Sequence, residues 1–165
     1  MPTLLLNKIQ IEQRINRIAY QVYEDNFEEQ EIIIAGIVKG GYQLAQRIKN
    51  SLEKICTIKV NLIEIKIDKN KQAEQVIKLP LTTDELKNKV VIIIDDVLNS
   101  GKTLTYAMRP FLDANVRKIR TVLLVDRDHK RYPVIADYVG FKLSTTLKEH
   151  VSVEFTEGKE AVELS

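Results

Sequence analysis

Val90-Val91-Ile92-Ile93-Ile94-Asp95-Asp96-Val97-Leu98-Asn99-Ser100-Gly101-Lys102-Thr103 is the stretch that decides the fold. Val90 to Ile94 are β-branched without a break, which predicts a strand buried on both faces, as in parallel sheets. The strand ends on two adjacent carboxylates. Buried carboxylates without partners are costly, so the pair needs a cation, a metal-bound ligand or hydroxyl groups to face. Asn99 to Thr103 then form a small, polar, glycine-bearing turn into a helix expected to start near Thr103. Backbone N–H groups, the Ser100 and Thr103 hydroxyls and the helix N-terminus together make an anion site. Acceptors for hydroxyls beside donors for a phosphate suit a sugar phosphate. A P-loop needs a glycine five positions before Gly101, which is absent, and no G-x-G-x-x-G occurs. A plain acidic strand end beside a capped helix accounts for either half, but not for both together.

Outward from this stretch, strands and helices alternate. Asn7 is the expected N-cap of a first helix whose apolar positions are Ile11, Ile15, Ile18, Ala19, Val22 and Tyr23, with Arg14 and Arg17 on its polar side. Residues 31–37 read as a buried strand. Gly40 and Gly41 break the chain, and a second helix follows with Leu44, Ala45, Ile48 and Leu52 on one face. Residues 58–67 and 119–125 read as further strands, and short β-like pieces are expected at 134–140 and 150–155. Residues 68–88 are a long polar connection, either a lid or a solvated loop. The alternation predicts an α/β, Rossmann-like, mostly parallel sheet with flanking helices. Such sheets bind ligands at the carboxyl ends of their strands.

Composition excludes several classes. The 165 residues carry 25 basic and 23 acidic side chains, a net +2, with 44% apolar and 29% charged residues. This suits one globular domain over residues 1–165 that needs no staple. No apolar run reaches the ~18 residues of a membrane helix, and Met1 to Leu6 is too short for a signal peptide. Cys56 is the only cysteine, read as a small core residue, so no disulfide framework or cysteine-based zinc site exists. A cytoplasmic protein is expected. The near-neutral charge argues against a dedicated nucleic-acid binder. The cluster Arg117, Lys118, Arg120, Arg127, Lys130 and Arg131 leaves a local RNA patch open. His129 and His150 read as surface residues.

Asp95-Asp96-Val97-Leu98-Asn99-Ser100-Gly101-Lys102-Thr103 resembles the phosphoribosyl-pyrophosphate (PRPP) signature of the type I phosphoribosyltransferases. Residues 124–133 and Ala136-Asp137-Tyr138-Val139-Gly140 resemble the pyrimidine operon attenuator proteins, RNA-binding regulators with uracil phosphoribosyltransferase activity. The resemblance runs from about Asn7 to Glu154. It implies the type I phosphoribosyltransferase fold, with a small hood made from the termini and residues 134–155.

The same resemblance implies roles. Asp95 and Asp96 would hold the ribose 2′- and 3′-hydroxyls, and Leu98, Asn99, Ser100, Gly101, Lys102 and Thr103 would wrap the 5-phosphate. Val38, Lys39, Gly40 and Gly41 would form the pyrophosphate loop, and Asp126, Arg127, Tyr138 and Val139 the base pocket. Mg²⁺ would accompany PRPP without dedicated protein ligands. Two departures stand out: the family's arginine is absent at Gly40, and Ile65-Lys66-Ile67-Asp68-Lys69 replaces an aromatic lid motif with paired acids, Lys66 standing for its arginine. Asn99 and Asp126 stand where purine enzymes carry an aspartate and a lysine, which favours uracil. The implied activity is transfer of phosphoribosyl from PRPP to a nucleobase, first of all uracil. Alternatives are a PRPP- or nucleotide-sensing RNA-binding regulator of pyrimidine genes, and a purine phosphoribosyltransferase. A homodimer or larger homo-oligomer, without membrane association, is implied.

Overall fold

Asn7 caps the first helix: its side chain accepts from Gln10 N at 2.9 Å while Gln10 Oε1 accepts from Asn7 N at 2.9 Å. The computed structural model describes residues 1–71, 73–146 and 148–165. In chain order the elements are β1 (Thr3–Asn7), α1 (Lys8–Asn26), β2 (Glu31–Ile37), α2 (Gly40–Ile55), β3 (Lys59–Ile65), α3 (Thr83–Leu86), β4 (Val90–Leu98), α4 (Lys102–Asp113), β5 (Lys118–Asp126), β6 (Tyr138–Lys142), β7 (Val151–Glu154) and β8 (Ala161–Leu164).

Five strands form the main sheet in the order β3-β2-β4-β5-β6, and every pairing is parallel. The β-branched runs fill its interior: Ile32 to Ala35 and Val90 to Ile94 are at most 1% exposed. One face carries α1 and α2 through Ile11, Ile18, Leu44 and Ile48; the other carries α4 through Leu104, Ala107 and Phe111. β4, the strand expected to be buried on both faces, stands in the middle. It runs four residues past Ile94, so Asp95 and Asp96 lie within the strand, and Asp95 pairs with Leu123 of β5.

The hood is a separate antiparallel sheet, β1-β8-β7. Its boundary differs from expectation. Residues 138–142 are the edge strand of the main sheet, with Val122 opposite Tyr138 and Asp126 opposite Lys142. The hood draws only on the termini and residues 151–154. Arg14 and Arg17, on the polar side of α1 as expected, also reach that edge strand. Arg14 Nη1 donates to Gly140 O at 3.1 Å, and Arg17 Nη2 donates to Gly140 O at 2.8 Å and Val139 O at 3.0 Å. Carbonyls on an open sheet edge need donors, and these guanidinium groups supply them. Among the described residues no helix is long and apolar enough to cross a membrane.

Candidate active site

The site lies at the carboxyl ends of β2, β4 and β5, where two loops turn into helices. The first joins β4 to α4. Gly101 has φ +86°, a left-handed conformation that glycine adopts without strain. A side chain there would sit 2.7 Å from Val134 Cγ2. The loop is braced by its neighbour: Arg127 N donates to Leu98 O at 3.3 Å, and Arg131 N and Tyr132 N donate to Ser100 O at 2.7 and 3.1 Å. Ser100 Oγ accepts from Lys102 N at 3.2 Å. With the loop's carbonyls held by residues 127–132, Leu98, Asn99, Ser100, Gly101 and Thr103 line a hollow of about 80 Å³. Asp95 and Lys69 line the same hollow.

The second loop joins β2 to α2. Val38 N donates to Ile65 O at 3.1 Å, a cis peptide bond joins Val38 to Lys39, and α2 starts at Gly40 itself. The two glycines are first-turn residues of the helix, not a gap before it. The acid pair lies against them. A Cβ on Gly40 would fall 2.1 Å from Asp96 Oδ2, and one on Gly41 2.5 Å from Ile94 O and 2.9 Å from Asp95 Cα. The space of the family's arginine at position 40 is filled here by the Asp96 carboxylate.

The two acids differ. Asp95 is 5% exposed and Asp96 half-buried. Burial, with the Asp96 charge next to it, pushes the Asp95 carboxyl well above the usual carboxylate range, and Lys69 partly opposes this. Asp95 Oδ1 accepts from Asp96 N at 2.9 Å, and Asp96 Oδ1 accepts from Val97 N at 2.8 Å. Among the described residues no group of three or more His, Cys, Asp or Glu side chains is placed to hold a metal ion. One adjacent carboxylate pair fits an ion carried in on a ligand's own oxygens.

Asp126 and Arg127 sit at the carboxyl end of β5, both buried. Asp126 Oδ1 accepts from Asp128 N at 2.9 Å. Arg127 spans two loops. It donates to Asn99 Oδ1 at 2.7 Å, to Thr145 Oγ1 at 3.0 Å, to Thr146 O at 3.2 Å and to Glu149 O.

Tyr138 is not in the site. It opens β6, and its hydroxyl bonds with Asp25 at the end of α1 and Arg120 near the start of β5. Burial and the Asp25 charge hold that phenol well above its ordinary range. This pole is opposite the carboxyl ends, because α1 runs back against the strands. Val139 shares the register level of Asp95, two strands away at the sheet edge. Lys69 is the site residue that sequence reasoning missed. Lys66, expected to replace the arginine of the lid motif, is exposed beyond β3.

The basic cluster of residues 117–131 is also dispersed. Arg117 pairs with Glu29, and Lys118 and Arg120 pair with Asp25 at 3.5 and 3.0 Å, all at the amino end of β5. Lys130 and Arg131 stand exposed at the opposite end. His129, expected in solvent, is half-buried with Nε2 against the Thr145 carbonyl; His150 is exposed and Cys56 half-buried against the core.

A family model described as a phosphoribosyl transferase domain matches residues 4–157. The chain is 34% identical over 162 residues to the bifunctional protein PyrR of Clostridium novyi, covering 94% of this chain and 91% of that protein. It is 32% identical over 162 residues to the bifunctional protein PyrR of Brevibacillus brevis, covering 94% and 90%. The structure of the hypoxanthine phosphoribosyltransferase of Trypanosoma cruzi superposes with a TM-score of 0.78 at 18% identity, covering 98% of this chain and 95% of that one. A hypoxanthine phosphoribosyltransferase from Staphylococcus aureus gives 0.77 at 20% identity, covering 94% and 86%. These two likenesses show the fold.

Proposed function

The chain belongs to the phosphoribosyl transferase domain family and, within it, to the PyrR proteins, and on that premise we propose that it transfers the phosphoribosyl group of PRPP to uracil with release of pyrophosphate, as one domain over residues 1–165. The observation that carries this reading is the acid pair set between two loops that each open a helix. Gly40 and Gly41 lie against Asp96 and Asp95, and Asp95 shares its hollow with Ser100, Gly101 and Thr103. In this reading Asp95 and Asp96 accept from the ribose hydroxyls, residues 98–103 hold the 5-phosphate, and Val38 to Gly41 hold the pyrophosphate. Both anions meet the positive end of a helix dipole.

The reaction displaces pyrophosphate from C1 by a base nitrogen. Positive charge develops on the ribose ring, and carboxylates close by stabilise it. Mg²⁺, bound to the pyrophosphate oxygens, would neutralise the leaving group. The base is expected at the carboxyl ends of β5 and β6. Asn99 supports uracil over a purine: its side chain accepts from Arg127 and, as an amide, takes no proton at neutral pH. Asp126 offers no cation to a purine's exocyclic oxygen.

A second reading, an RNA-binding regulator, is favoured by one observation. Exposed Lys130 and Arg131 ride directly on the 98–103 loop through the Arg131 N to Ser100 O bond, so a basic pair would move with that loop. RNA binding by this pair predicts an affinity that falls steeply with salt. A homodimer is the assembly the resemblance implies.

The test is pyrophosphate release by purified protein with PRPP and Mg²⁺, offered uracil, hypoxanthine or guanine. Release with uracil is expected. Release with a purine alone would move the substrate, and no release with any base would sink the enzyme reading and leave the regulator.

A further inference from the structure

We propose that Arg127 is a positioning residue that couples the 98–103 loop to the loop after β6, so that filling the first orders the second. The inference rests on the reading above for what fills the 98–103 loop; the link itself is visible in the bonds. Arg127 is 7% exposed, and its guanidinium donates to four neutral oxygens. Of these, Asn99 Oδ1 belongs to the loop after β4, whereas Thr145 Oγ1, Thr146 O and Glu149 O belong to the segment after β6. His129 Nε2 adds a contact to the Thr145 carbonyl from the same stretch of chain.

A buried cation whose partners among the described residues are neutral acceptors depends on all of them, since losing one leaves an unpaired donor in a dry site. Its planar fork fixes where those acceptors stand relative to each other. Asn99 therefore cannot shift without moving the cation, and the cation cannot move without releasing Thr145, Thr146 and Glu149. The 143–149 segment begins at Leu143, whose N–H donates to Asp126 O at 3.0 Å, so it borders the carboxyl end of β5 where the base is expected. An anion that fixes Asn99 to Thr103 would thereby fix one wall of the base side. Such coupling is reciprocal for binding and of the order of 5–150-fold.

Hydrogen exchange of the 143–150 amides, with and without saturating PRPP and Mg²⁺, reads this directly. Wild-type protein is expected to show about tenfold slower exchange in 143–150 when PRPP is bound. Arg127→Lys should bind PRPP, yet leave that exchange unchanged. Thr145→Val, which deletes one bond and spares the buried cation, keeps the test open where Arg127→Lys fails to fold. Its protection should be partial. In turnover, Arg127→Lys should raise the KM for the base about tenfold or more, with the KM for PRPP changed far less. A merely structural role would lower thermal stability and move both constants together. PRPP binding without protection of 143–150 in wild type would overturn the coupling while leaving the enzyme reading intact. Protection without turnover on any base would do the reverse, and no PRPP binding at all would overturn both.

Discussion

The two loops that open helices at the site, residues 38–41 and 98–103, are held in different ways. The 98–103 loop is braced by its own chain: Arg127, Arg131 and Tyr132 hold its carbonyls, and Gly101 nests against Val134. The 38–41 loop is braced by the acids. Gly40 lies on Asp96 and Gly41 on the backbone of Ile94 and Asp95. On the proposed reading, the first anion site is therefore built before a ligand arrives. The second is built around charges that a ligand will change, so its shape is tied to the state of the acid pair.

The sharpest way to break this contrast is Gly41→Ala. Its new methyl would meet Ile94 O and Asp95 Cα, which are backbone and cannot swing aside. A stability loss of about 1–3 kcal/mol is expected by chemical denaturation, together with loss of PRPP binding. Gly101→Ala comes next. It forces a left-handed φ on an L-residue at about 1–2 kcal/mol, or roughly 2–8 °C in Tm at 2–4 °C per kcal/mol for this chain length, with weaker binding of ribose 5-phosphate in titrations.

Gly40→Arg restores the side chain that the resembled family carries. Here it meets Asp96 Oδ2, the end of a side chain that can rotate away. Stability should change by less than about 1 kcal/mol, and PRPP affinity should fall rather than recover. A gain in PRPP affinity in calorimetry would show that Asp96 yields the space readily, and the account of the 38–41 loop would be wrong.

A further effect separates the two acids. Asp95 has a raised carboxyl in the folded state, so there it binds a proton more tightly than the unfolded chain does. Its contribution to stability is fully present below the unfolded value near 4 and is lost as pH rises from there through the folded value. Asp95→Asn should therefore raise Tm at pH 7, and the gain should vanish near pH 4. An equal gain at both pH values would remove burial as its cause.

Much of this was legible in the residues. Glu31–Ile37 is a strand with the bounds its apolar run suggests, Asn7 caps α1, and β4 takes the centre of the sheet because Val90 to Ile94 tolerate burial on both faces. The phosphoribosyl transferase family was legible from residues 95–103. What was hidden depends on distant pairing. Residues 138–142 are short, include Gly140 and have no strong alternation, so only their register with β5 puts them in the main sheet. The turn of the Tyr138 hydroxyl toward Asp25 and Arg120, away from the two loops, was equally invisible in the local sequence. The fit of Gly40 to Asp96 joins residues 56 positions apart, and no local pattern marks it. Lys69 was obscured because it follows β3 in a polar stretch where any lysine looks solvated.

We propose that Asp95 and Asp96 are kept in a costly setting because they hold a ribose. Calorimetric titration of PRPP with Mg²⁺ into wild type and into Asp95→Asn/Asp96→Asn tests it most directly, with Tm read on the same samples. The double variant should be folded, no less heat-stable than wild type at pH 7, and at least about 100-fold weaker for PRPP, a loss of about 2.7 kcal/mol. A folded double variant that binds PRPP within about threefold of wild type would contradict it.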